Sequence, residues 1–130
     1  MKKIVIIEED EAIRETLGVY SELLGYEPIL FADPESCERF HENHKLTDEN
    51  QNADLLVVEQ KMKNMTGLEF IQKQLDKGRV FIEQHKVVLS DSMLRNELMQ
   101  AKKLGCHALE KPVSYEFFEI WIKGTERKKE

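Results

Sequence analysis

Two patterns of apolar residues alternate along this chain. The first is a short run with no polar residue interleaved: Ile4 to Ile7, Pro28 to Phe31, Leu55 to Val58, Val87 to Leu89, and a minimal version at Ala108-Leu109. Such runs predict strands buried on both faces, as in a parallel sheet. The second is helical spacing. Ile13, Leu17, Tyr20 and Leu24 follow it, as do Leu68, Ile71 and Leu75, then Leu94, Leu98 and Ala101, and finally Phe117, Phe118, Trp121 and Ile122. Each set predicts a helix with an apolar face.

The punctuation between the runs agrees with this division. Asp10 stands as a cap before Glu11, and Asp33-Pro34-Glu35 supplies cap, first-turn proline and acidic residue for a helix that carries Phe40 and fades near His44. Thr66-Gly-Leu-Glu69 reads as a capping box, and Ser114 can cap the last helix. Gly25, Gly78 and Gly105 close the helices before them, the last of these running from Met93 to Leu104. The polar, aperiodic residues 45–53 predict a mobile surface loop. Val80-Phe-Ile82 predicts a segment packed over the sheet edge, and residues 125–130 a charged tail that frays.

Strand and helix therefore alternate five times. Short connections favour right-handed crossovers, so the expected fold is α/β: a flavodoxin-like, doubly wound, five-stranded parallel sheet in the order 2-1-3-4-5, with helices on both faces. In that order the carboxyl ends of strands 1, 3, 4 and 5 converge on one rim. The residues they deliver there are Glu8, Glu9, Glu59, Ser90, Asp91 and Lys111. Four carboxylates, a hydroxyl and an ammonium are candidates for chemistry because open α/β sheets place their sites at this edge.

Composition narrows the partners. A chain of 130 residues suits one domain, read here as residues 1–124, with 125–130 as tail, and leaves no room for a separate effector domain. The net charge is −6, with no basic stripe, which argues against nucleic acid as a direct partner. The apolar runs are too short to span a bilayer, and Glu8-Glu-Asp-Glu11 ends the first one too early for a signal peptide, so a cytoplasmic location without membrane contact is expected. Cys37 and Cys106 have no CxxC or ligand partner and read as reduced thiols. His41, His44, His85 and His107 share no zinc spacing. Read alone, the run Glu8 to Glu11 could equally be a solvated helix entrance, where acids suit the helix dipole.

Taken together and in order, these rim residues resemble the receiver domain of bacterial two-component response regulators, over roughly residues 3–124. The likeness rests on the acidic pair after strand 1, Glu59 after strand 3 with Met65-Thr-Gly67 following it, Ser90 after strand 4, and Lys111-Pro112 after strand 5. It implies a phosphorelay signalling protein rather than an enzyme. It also implies Mg²⁺ held by the acidic pair and the strand-3 acid, a phosphoacceptor at position 59, and a lysine that neutralises the phosphoryl group, with the Lys-Pro bond often cis.

The chain departs from that pattern at several of these positions. Position 59 is Glu rather than Asp, and the acidic pair is Glu8-Glu9. Each added methylene lengthens the arm by about 1.5 Å. Mg²⁺ demands near-ideal octahedral geometry, and a misplacement of about 1 Å costs on the order of 100-fold in rate. Glu8, Glu9 and Glu59 are thus expected to form at most a degenerate site that could still take Mg²⁺ weakly, with no cofactor required. The loop proline is replaced by Lys63, the switch-aromatic position holds Ala108, and the normally small residue after Ser90 is Asp91.

The favoured function is a stand-alone pseudo-receiver, independent of phosphorylation and acting through protein contacts. Its Glu59 carboxylate would reach Lys111, near the place of a phosphoryl oxygen. The alternative is a working phosphoacceptor using Glu59 or Asp91. A third reading, a small flavodoxin-like ligand binder or enzyme, is disfavoured because the turn after strand 1 is acidic rather than Gly-rich. The resemblance points to the face of helix 4, strand 5 and helix 5 as the partner surface, toward a sensor kinase or a second copy. The aromatic set Tyr115, Phe117, Phe118 and Trp121 reads mostly as core packing; Phe117 and Phe118 cannot face the same way on one helix, so an exposed aromatic that would mark a partner surface is the lesser alternative. Met62 and Met65 are expected to plug the core beneath the site.

Overall fold

The computed structural model describes residues 2–44, 53–78 and 85–128. Among these, strands β1 (Lys2–Ile7), β2 (Tyr26–Phe31), β3 (Leu55–Glu59), β4 (Lys86–Ser90) and β5 (His107–Glu110) alternate with helices α1 (Glu11–Leu23), α2 (Pro34–His44), α3 (Gly67–Asp76), α4 (Arg95–Lys103) and α5 (Tyr115–Lys128). The strands form one sheet in the order β2-β1-β3-β4-β5. Every pairing is parallel, as the short crossovers require.

The pleat divides the apolar runs between two cores. Val5, Ile7, Leu56, Val58 and Val88 point to the side covered by α2, α3 and α4, where they meet Leu68, Ile71 and Ala101. Ile4, Ile6, Leu55, Val57, Val87 and Leu89 point to the other side, against Leu17 of α1 and Phe118, Trp121 and Ile122 of α5. This two-sided burial is why no polar residue interrupts the central runs. Pro28 lies in β2, an edge strand, where a missing N–H is tolerated.

The caps are made as the sequence predicts. Asp10 Oδ1 accepts from Ile13 N at 3.0 Å, Asp33 Oδ1 from Ser36 N at 2.7 Å, and Ser114 Oγ from Phe117 N at 3.1 Å. Thr66 and Glu69 complete their capping box at 3.1 and 3.0 Å. Gly25, Gly78 and Gly105 all adopt positive φ at helix ends.

Two expectations need correction. Helix α4 begins at Arg95, not Met93. Leu94 is its N-cap, and Leu94 and Leu98 are 65% and 48% exposed, leaving only Ala101 of that stripe in the core. The stripe has helical spacing, but nothing from the sheet covers its first turn. At the other end, α5 continues through Lys128 instead of fraying at Thr125. Thr125 is buried, and its hydroxyl donates to Ile122 O at 2.7 Å. The readings for residues 45–52 and 80–82 lie outside the described residues, while Ala53 packs into the α2–α4 core.

Candidate functional site

The carboxyl ends of β1, β3 and β5 bring three side chains into direct contact. Glu8, just past β1, is fully buried; its backbone N–H continues the strand by donating to Phe31 O at 3.1 Å. Glu59 is the last residue of β3, in register with Leu89. Lys111 follows β5, held by a bond from its N–H to Ser90 O at 2.9 Å, and the Lys111-Pro112 peptide is cis.

The Lys111 ammonium is shared between two carboxylates. Its Nζ lies 2.7 Å from Glu59 Oε1 and 2.7 Å from Glu8 Oε1. The contact with Glu59 is a well-directed hydrogen bond, whereas that with Glu8 is an ion pair outside hydrogen-bonding geometry. The remaining oxygens are also engaged. Glu59 Oε2 accepts from Glu9 N at 3.1 Å, and Glu8 Oε2 from Asp10 N at 3.0 Å.

Burial and neighbours split the two acids. Desolvation, reinforced by the hydrogen bond with Glu59, pushes the Glu8 carboxyl up to about 7 against the pull of Lys111. Burial also opposes ionisation of Glu59, but hydrogen bonds from Glu8, Lys111 and Glu9 N outweigh it and hold Glu59 below the usual carboxylate range. For Lys111, burial works against the charge, and the two glutamates more than compensate, raising it. Below about pH 7 the consistent assignment is a protonated Glu8 beside an ionised Glu59 and a charged lysine, which leaves the buried trio neutral.

The other predicted residues do not join this trio. Glu9 turns aside, its Oε2 accepting from Lys63 N at 3.0 Å. Asp91 is exposed at the mouth of a shallow hollow between α1 and the turn after β5. Ser90 is buried, but its hydroxyl donates to Ser92 O at 3.0 Å, within its own turn. Ala108, in register with Val88, lines a groove between β5 and α5 with Phe117, Ile120 and Trp121. Met62 and Met65 pack against the core as plugs.

The expected Mg²⁺ set of Glu8, Glu9 and Glu59 does not fit a six-coordinate ion. An ammonium already stands between two of the carboxylates, and the third is bound to the β3–α3 loop. Among the described residues, no three His, Cys, Asp or Glu side chains are placed to hold a metal.

Two side chains that shape the site gave no signal in the sequence. Arg14 Nη1 donates to Glu8 O at 2.8 Å and Glu9 O at 3.4 Å, fixing the turn that aims the acidic pair. Gln60, buried directly after Glu59, accepts from Leu68 N and donates to Glu97, both at 3.0 Å. Gly67 is required where it stands. A Cβ there would lie 2.6 Å from Glu59 O, so the start of α3 rests directly on the backbone of the acidic residue.

No protein-family model and no curated protein sequence matches the chain. Solved structures do. The chain is 18% identical to the chemotaxis protein CheY4 of Vibrio cholerae, covering 96% of this chain and 98% of that one with a TM-score of 0.79. A response regulator receiver domain protein from Clostridium thermocellum gives 20% identity, 99% and 98% coverage and a TM-score of 0.80. A CheY-like receiver domain protein from Methanospirillum hungatei gives 20%, 98% and 98%, and 0.79. Among the described residues no helix is long and apolar enough to cross a membrane. With its strand order, its rim and these likenesses in agreement, the chain has the fold of the response-regulator receiver domains.

Proposed function

We propose that the protein is a cytoplasmic signalling module of the receiver type that works without phosphorylation and without a metal cofactor. Glu59 stands at the phosphoacceptor position, and its carboxylate takes the place of a phosphoryl oxygen against Lys111. Output runs through protein contacts on the face of α4, β5 and α5, toward a sensor kinase or a second copy of the chain.

One observation carries this reading: the 2.7 Å contact from Lys111 Nζ to Glu59 Oε1, with Glu8 Oε1 at the same distance on the same ammonium. Phosphoryl transfer is catalysed mainly by placement and by cations that neutralise the moving charge. Here the cation is committed to the acceptor side chain itself. The partner face is supported by its chemistry, since Phe117 is 63% exposed while its neighbour Phe118 is fully buried.

The test is intact mass after incubation with a small phosphodonor and Mg²⁺, run beside Glu59→Asp. The native chain should gain no phosphoryl group, and uptake by the aspartate variant alone would show a working scaffold whose acceptor was retired. Phosphoryl uptake by the native chain, at Glu59 or Asp91, overturns the proposal.

A further inference from the structure

Helix α4 is loosely held for an element of the partner face. Among its residues only Ala101 is buried. What fixes its first turn is polar. Glu97 Oε1 accepts from the N–H of Leu94, the N-cap, at 2.8 Å, and Glu97 Oε2 accepts from Gln60 Nε2 at 3.0 Å. These two bonds hold the Glu97 carboxyl below its ordinary range, Leu94 N contributing most.

Gln60 is itself clamped on three sides. Its Oε1 accepts from Leu68 N at 3.0 Å, its backbone N–H donates to Leu89 O at 2.8 Å, and its carbonyl accepts from Gly67 N at 3.0 Å. It is 2% exposed and is joined by one peptide bond to Glu59. A continuous path therefore runs from Lys111 through Glu59 and Gln60 to Glu97 and the cap of α4. On the β4–β5 side the Ser90 hydroxyl is spent on Ser92 O, and Ala108 carries only a methyl group.

We propose that the Gln60–Glu97 hydrogen bond couples the acidic rim to the first turn of α4, so that a change in how Glu59 is held alters the order of the partner face. This coupling would operate whether or not Glu59 ever accepts phosphate, so its failure is distinguishable from failure of the proposed function. Coupling of this kind is an interaction free energy between two sites, and a cycle of variants measures it.

The experiment is amide hydrogen exchange across residues 94–104, which reads local opening of α4. Gln60→Glu keeps the acceptor for Leu68 N but sets two carboxylates against each other. It should speed exchange in α4 by about fivefold or more. Adding Glu97→Gln restores a donor–acceptor pair with the roles swapped and should return exchange toward the native rate. The rim is perturbed by Glu59→Gln, which should speed α4 exchange in the native background and in the swapped pair, but add nothing in Gln60→Glu alone. If Gln60→Glu does not fold, Glu97→Ala takes its place as the broken-bridge background. Equal effects of Glu59→Gln with the bridge intact and broken, or α4 exchange indifferent to the bridge, overturn the proposal.

Discussion

The rim around Glu59 buries charge, whereas the face of α4, β5 and α5 exposes carbon. At the rim, a fully buried glutamate and a second carboxylate flank one ammonium, and the other oxygen of each carboxylate accepts from a backbone N–H. On the face, Leu94, Leu98, Met99, Phe117 and Ile120 are all substantially open to solvent. Ion pairs withdrawn from water recover their desolvation cost only when every partner is in place, so the rim is intolerant of subtraction. Exposed apolar side chains gain nothing from the fold and are left for association. The contrast sets the exposed apolar face, the proposed partner surface, away from the corner that the sheet topology marks out for ligands.

Three experiments sharpen or break this contrast, in decreasing order of expected size. Removing the ammonium with Lys111→Met strands two carboxylates in a closed site. It should cost about 3–5 kcal/mol by urea unfolding near pH 8, and less near pH 5, where Glu8 is protonated in the native state. A loss no larger than that of a surface lysine would mean that the trio is solvated and the contrast false.

Next comes pH. Burial raises Glu8 to about 7 from an ordinary 4.5, so the folded state holds this proton more tightly than the unfolded chain does. The resulting stabilisation is complete below about pH 4.5 and is lost as pH rises through about 7. Glu59 has the opposite sign: its lowered value contributes above the ordinary range and fades only in stronger acid. Between about pH 5 and 8 the Glu8 contribution dominates and should remove on the order of 2–3 kcal/mol, seen as a fall in Tm. Glu8→Gln, which cannot ionise, should flatten that slope. A native Tm that rises over this range would overturn the charge assignment.

The smallest expected effect is on the other side of the comparison. Phe117→Ser with Ile120→Ser should leave stability within about 0.5 kcal/mol of native, as exposed positions do. Any self-association through the face, read by sedimentation velocity, should disappear. A loss above about 1 kcal/mol would make that face part of the core.

Much of the fold could be read from the chain because its signals are local. Unbroken apolar runs, Thr66 with Glu69, and glycines at helix ends act within a few residues, and each is found where it was expected. What could not be read depends on distant partners. Leu94 and Leu98 have the spacing of a buried stripe, yet whether a stripe is covered is decided by the sheet beneath it. Thr125 and Lys86 are polar residues in burial, Lys86 Nζ being satisfied by Leu104 O at 2.7 Å. The meeting of Glu8, Glu59 and Lys111 followed from strand order. The aside of Glu9 toward Lys63 N and the bridge from Gln60 to Glu97 did not, because both depend on loop paths that no periodicity encodes.

The bare Cα of Gly67 carries a mechanical meaning. With 2.6 Å between a hypothetical methyl and the Glu59 carbonyl, main chain is stacked on main chain with no cushion between them. The strand tip and the foot of α3 are therefore one rigid joint. Change at this corner falls on side chains such as Glu59, because the joint leaves no slack for the backbone to give.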